Sequence, residues 1–154
     1  MATGDLTVFE EFALDIGNEH HKFPTGNDSL KFGIIDNTTP PTAADATPTW
    51  GDYSANEIGT GGGYTEPVSL SGVDYTEADG VATLVANSFT ISQNGSGQGS
   101  TTAWGILYND SAASDQAIAF VELGTIDITA GDLVVKFNNV ASGSPGTILT
   151  VTVS

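Results

Sequence analysis

Apolar and polar positions alternate through SLKFGIID, where Leu30, Phe32 and Ile34 interleave with Lys31, Gly33 and Ile35. That is the period of a half-buried β-strand, with one face in a core. Shorter segments of the same kind recur downstream: PVSLSGVDYT, VATLVA, SFTIS, TAWGILYND, AIAFVELG, TIDIT, DLVVKFNNV and TILTVTVS. All are rich in Val, Ile, Thr, Phe and Tyr, the residues that suit a pleated surface. Chain reversals are expected between them at Asn87-Ser88, 93–100, 109–115, Ala130-Gly131-Asp132 and 141–146. Near the start the period changes. Phe9, Phe12, Ala13 and Ile16 share one helical face with Glu10, Glu11 and Asp15 opposite, so a short helix is expected over 6–16, capped by Asp5 and ended by Gly17. Residues 37–52, NTTPPTAADATPTWGD, carry three prolines and little apolar pattern; they read as an extended loop anchored by Trp50.

Seven to nine strands with close turns and no second helix leave one way to bury the strands, two antiparallel sheets packed face to face. The expected fold is all-β, a single antiparallel β-sandwich domain over 1–154 (jelly-roll or immunoglobulin-like), with one short N-terminal helix. Its core is expected to comprise Phe32, Ile34, Leu84, Phe89, Ile91, Trp104, Ile106, Tyr108, Ile118, Phe120, Leu123, Val134, Phe137, Ile148, Leu149 and Val151, with Trp104 at the centre. The length, 154 residues, suits one domain.

Charge narrows the partners. Nineteen acidic residues face three lysines, Lys22, Lys31 and Lys136, with no arginine, for a formal net charge of −16. Nucleic acid and anionic membrane demand cationic side chains that this chain lacks, so neither is an expected partner. With no cysteine, disulfides and thiolate-bound metals are excluded. No apolar run reaches membrane-span length, and MATGDLTVFEEF has no secretion-signal character, which reads as a soluble protein made in the cytoplasm.

Candidate chemistry is sparse. The run Gly59-Thr60-Gly61-Gly62-Gly63 leads into Glu66 and Pro67 rather than a lysine and a helix start, so it reads as a turn-rich connection and not a phosphate cradle. His20 and His21 are adjacent and project differently; Glu19-His20-His21 is not a zinc motif. The pair reads as a turn, one ring packed beside Phe23 and the other solvated. No G-x-S-x-G or D-x-D-x-D-G pattern occurs. Carboxylate pairs such as Asp110 with Asp115, or Asp127 with Asp132, read as solvated turn residues. No catalytic, cofactor-binding or metal residue is assigned, and the chain is not expected to be an enzyme.

The order of segments carries a resemblance. A helix, the turn NEHHKF, the strand LKFGIID, the excursion, YSANEIGTGGGYTEPVSLSG and a strand ending AWGILYND together resemble small virion proteins of tailed bacteriophages. His21 and Phe23 match the turn, and Glu57, Gly59, Gly63 and Tyr64 match the loop; Glu66-Pro67 departs from the small residue and glycine more usual there. The resemblance implies a structural role. The expected function is a capsid decoration or cement protein on the outer surface of the head, binding the major capsid protein as a homo-oligomer, trimer or dimer. Phe9 and Phe12, residues 38–49 and the glycine run are the expected contacts. The alternative is a tail- or fibre-associated receptor- or carbohydrate-binding module, stacking sugars on Trp50, Tyr53 and Tyr64.

Overall fold

A computed structural model describes residues 4–23, 28–59, 63–93, 102–126, 128 and 131–152. The fold is all-β and sandwich-like, with every strand pairing antiparallel. The strands are β1 (Leu6–Val8), β2 (Leu30–Ile35), β3 (Val68–Ser69), β4 (Asp74–Ala78), β5 (Val81–Asn87), β6 (Phe89–Ile91), β7 (Thr102–Asn109), β8 (Ala117–Ile126), β9 (Leu133–Val135) and β10 (Pro145–Thr152). Two short α-helices interrupt them, α1 (Phe12–Gly17) and α2 (Trp50–Tyr53). One sheet has the order β1-β8-β7-β2-β3.

The second sheet is built on an interrupted ladder. β10 and β4 flank β5, while β6 pairs with β9. Asn87 faces Pro145 and Phe89 faces Val135, so β9 runs back along β6 and β10 along β5. Asn87-Ser88, expected to reverse the chain, instead lets it run on. Ser88 is buried and ties down the inserted 136–144 segment: its N–H donates to Ser144 O (2.9 Å), and its Oγ accepts from Phe137 N (2.9 Å).

The N-terminus departs from the expected helix over 6–16. Leu6, Thr7 and Val8 form an edge strand against Val121, Phe120 and Ala119, and the helix spans only Phe12–Gly17. Asp5 caps nothing there; Glu11 holds the N-cap position, and the left-handed residue is Glu19 (φ 61°), not Gly17. The reason is tertiary. β8 offers an open edge whose hydrogen bonds a three-residue strand satisfies, and Phe9 then drops into the core. α2 is a second helix that the sequence pattern did not announce. It is a single turn opened by a Thr49/Asp52 capping box.

Both faces of the five-stranded sheet are covered. Phe32, Ile34, Leu107 and Val121 point toward the second sheet and meet Leu84, Ile91 and Leu149. Ile35, Ile106, Tyr108 and Phe120 point the other way, where Phe9, Trp50 and Tyr53 close over them. The excursion at 36–56 is thus a third layer. Its backbone is stitched down by Trp50 N to Asp115 O (2.9 Å), Ala117 N to Pro48 O (2.8 Å) and Glu10 N to Ala43 O (2.9 Å). The Trp50 ring lies parallel on Tyr108, centroids 5.1 Å apart and 3° between planes. Gly33 makes room: a Cβ there would run into the Trp50 ring. Gly105 does the same for Phe32 on the opposite face.

The core differs from expectation at four strand positions and at its centre. Val134 (43 % exposed) and Val151 (40 %) lie outside it, and Phe89 and Leu123 are half-buried. Trp104 is also half-buried, its Nε1–H donating to Asn37 Oδ1 (3.0 Å), while Trp50 takes the inner position. β2 explains part of this. Lys31 is its only half-exposed residue, so its alternation marks two buried faces and not one wet one.

Gly33→Ala forces the new methyl against Trp50, an overpacking cost of about 1–3 kcal/mol. Urea unfolding followed by tryptophan fluorescence checks it; an unchanged midpoint would mean that the ring does not rest on Gly33.

Candidate functional site

The most concentrated polar chemistry lies where α1 turns back on itself. Glu19 takes a left-handed conformation and His20 N donates to Asp15 O (2.9 Å), which brings the His20 ring to the Asp15 carboxylate, Nδ1 to Oδ1 at 2.9 Å. His21 goes inward. It stacks on Phe23 (5.3 Å, 7°) and sits against Phe12 (5.4 Å), while His20 stays partly solvated, the split that the sequence suggested. The buried Asn109 amide donates from Nδ2 to His20 O (3.0 Å) and meets His21 Nδ1 at 3.3 Å; its Oδ1 accepts from Ser111 N (3.0 Å). An NH₂ group only donates, so His21 Nδ1 is the acceptor and the proton is assigned to Nε2. That nitrogen faces Asp15 Oδ2 at 3.9 Å, beyond hydrogen-bond range, and both atoms are buried with no partner in the described residues.

Asp15 orienting His20 supplies two members of a hydrolytic triad. The described residues do not supply the third. Among the described residues no hydroxyl bonds His20, and Ser111 Oγ, which lines a small pocket together with His20, accepts from Ser29 N (2.8 Å). Nor do the described residues arrange three His, Cys, Asp or Glu side chains to hold a metal. What the cluster does is tie α1, the turn and the end of β7 together. Asp15 was missed as its hub because the turn that returns His20 to it leaves no periodic mark in the sequence.

The glycine run also has a structural purpose at its ends; residues 60–62 lie outside the described residues. Glu57 bridges to Ile35, and Tyr64 plugs the core, donating its hydroxyl to Glu57 Oε1 (2.6 Å) and accepting from Ile34 N (3.0 Å). Burial first, and then the bond to Glu57, holds this phenol far above its ordinary pKa, so it stays a donor. Gly63 has no alternative, since a Cβ would collide with the Ser92 backbone. The glycine-tyrosine pair is a lock on β2.

Two expectations about exposed contacts are corrected by burial. Trp50, Tyr53 and Tyr64 are all interior, Tyr53 donating to Asp45 Oδ2 (2.7 Å), so none presents a ring to a sugar. Phe9 and Phe12 are interior as well, and the helix shows Leu14 and Ile16 to solvent instead. Of the acid pairs, Asp110 is held by Lys31 (2.9 Å), Asp115 sits in a turn (φ 53°), and Asp132 accepts from Gln93 N (2.7 Å). Asp127 lies outside the described residues.

Among the described residues an open cleft of about 650 Å³ lies between β1 and β8 on one side and β9 and β10 on the other. Leu6, Phe32, Val121, Phe137 and Ile148 line its floor, and Asp5 and Lys136 also border it. Lys22 pairs with Glu19 (3.7 Å) and Lys31 with Asp110, whereas Lys136 has no ion pair among the described residues. The floor of the cleft offers apolar contact, with charged side chains at its border.

Two outcomes follow from these contacts. Tyr64→Phe strands Ile34 N and Glu57 Oε1 and costs about 1–3 kcal/mol in chemical denaturation; no loss would mean that the lock carries nothing. Burial holds the His21 ring below its ordinary pKa, with the nearby His20 adding to it and Asp15 and Asp28 opposing. The unfolded chain therefore takes up this proton first, and the stability tied to neutral His21 is full above about pH 6.5 and lost as pH falls through the window below it. The melting temperature of the wild type relative to that of His21→Phe should fall between about pH 7.5 and pH 5. A constant gap would contradict a buried neutral ring. Comparisons with protein-family models, curated proteins and solved structures find no match to this chain.

Proposed function

We propose that the chain is a structural protein of a tailed-phage virion, a decoration or cement subunit that grips neighbouring major capsid subunits on the outside of the head. One observation carries the reading. The residues on which the resemblance rests are engaged within the fold: Tyr64 with Glu57, Gly63 against Ser92, and His21 with Phe23 and Asn109. A motif used up in internal bonds suits a rigid building block, not a reaction centre.

Charge supports an exterior position. At −16 the subunit is repelled by packaged DNA and by its own free copies, which keeps it dispersed until it docks. Docking then relies on uncharged patches repeated over a symmetric shell, where many weak contacts hold firmly. The carbohydrate-binding alternative has lost the three aromatic rings it relied on, because they are buried.

Purified particles test this directly. Quantitative mass spectrometry should find the chain in fixed ratio to the major capsid protein, and immunogold should mark the head. A handful of copies confined to the tail would overturn the assignment.

A further inference from the structure

Among the described residues, the edges of the two larger sheets are not treated alike. β1 has three residues and β3 two, too short to template another strand. β4 carries Asp74 and Glu77 and runs into Asp79, an edge guarded by charge. β10 is different: eight residues, PGTILTVT, with no charged side chain. Among the described residues its only ladder partner is β5, and Thr150, Val151 and Thr152 are exposed. Long, uncharged, open edges are what folded proteins otherwise blunt, because their free N–H and C=O groups pair with any strand offered. Pro145 and the bulge between Thr147 and Leu149 blunt the first half, which leaves Leu149–Thr152 open.

We propose that this edge pairs with the same edge of a second copy, antiparallel across a two-fold axis. Charge selects that occupant. Two bodies of −16 repel wherever carboxylates meet, and at physiological salt only charges within about 8 Å matter strongly. The Leu149–Thr152 edge brings none. A two-fold needs no second sequence, since each strand supplies what its mate requires, and antiparallel pairing is what a two-fold through an edge produces. The two small sheets then become one of six strands, β4-β5-β10 continued by its mate. Added salt strengthens the association by screening the remaining repulsion. The inference does not depend on where in a particle the protein sits.

Sedimentation velocity over a wide concentration range tests it, using a matched pair of variants. Thr150 and Thr76 both pair with Thr83, on one exposed sheet face but at opposite edges. Thr150→Asp places two like charges across the axis and should weaken dimerisation by about tenfold or more. Thr76→Asp adds the same charge at the guarded edge and should leave it nearly unchanged. Only monomer at every concentration, a trimer, or equal sensitivity to both variants would overturn the proposal. Should Thr150→Asp unfold, hydrogen exchange on the unaltered protein decides: protection of the Leu149–Thr152 amides rises with concentration if the edge pairs, and concentration-independent protection refutes it.

Discussion

The rest of the structure depends on closing the second face of the central sheet. A five-stranded sheet has two sides; the smaller sheet covers one, and no helix long enough to cover the other exists among the described residues. The excursion at 36–56 must do it, although fixing backbone costs about 1–2 kcal/mol per residue. Pro40, Pro41 and Pro48 reduce that cost by restricting the unfolded chain. The gain comes from burying Trp50 and Tyr53 against Tyr108, Ile106 and Phe120, and from backbone bonds at both ends of the loop. Gly33 is the complement in the sheet, a missing side chain into which the indole settles.

Much of this was legible and some was not. The strand segments and the anchoring by Trp50 stand in the sequence, because alternation and a lone large aromatic in a proline-rich loop each have one dominant physical reading. Gly33 was the overlooked sign: a glycine in an otherwise apolar strand marks close approach by something large. The N-terminal misreading has a similar origin. Phe9, Phe12 and Ile16 satisfy a helical period, but Leu6–Val8 is short, β-branched in part and adjacent to an open strand edge, and pairing outweighs local propensity. The Asp15–His20–His21–Asn109 cluster joins residues almost ninety positions apart, a proximity that only the completed fold reveals.

Function follows from where polar groups are left. Inside, Asp15, Asn109, Tyr64 and Tyr53 tie loops to strands, and the phenols are held protonated by burial. Outside lie an acidic surface, a cleft with an apolar floor and one long uncharged strand edge. That division suits a body whose work is contact. It also explains why the aromatic residues that look like ligand platforms in the sequence serve as keystones instead.

Native-state hydrogen exchange tests most directly whether the excursion is core rather than lid. The amides of Trp50 and Ala117, which bond Asp115 and Pro48, should exchange with the same opening free energy as the centres of β2 and β7. If they open far more readily while the sheet stays protected, the loop is a mobile cover, its aromatic rings are available to a ligand, and the scaffold reading fails.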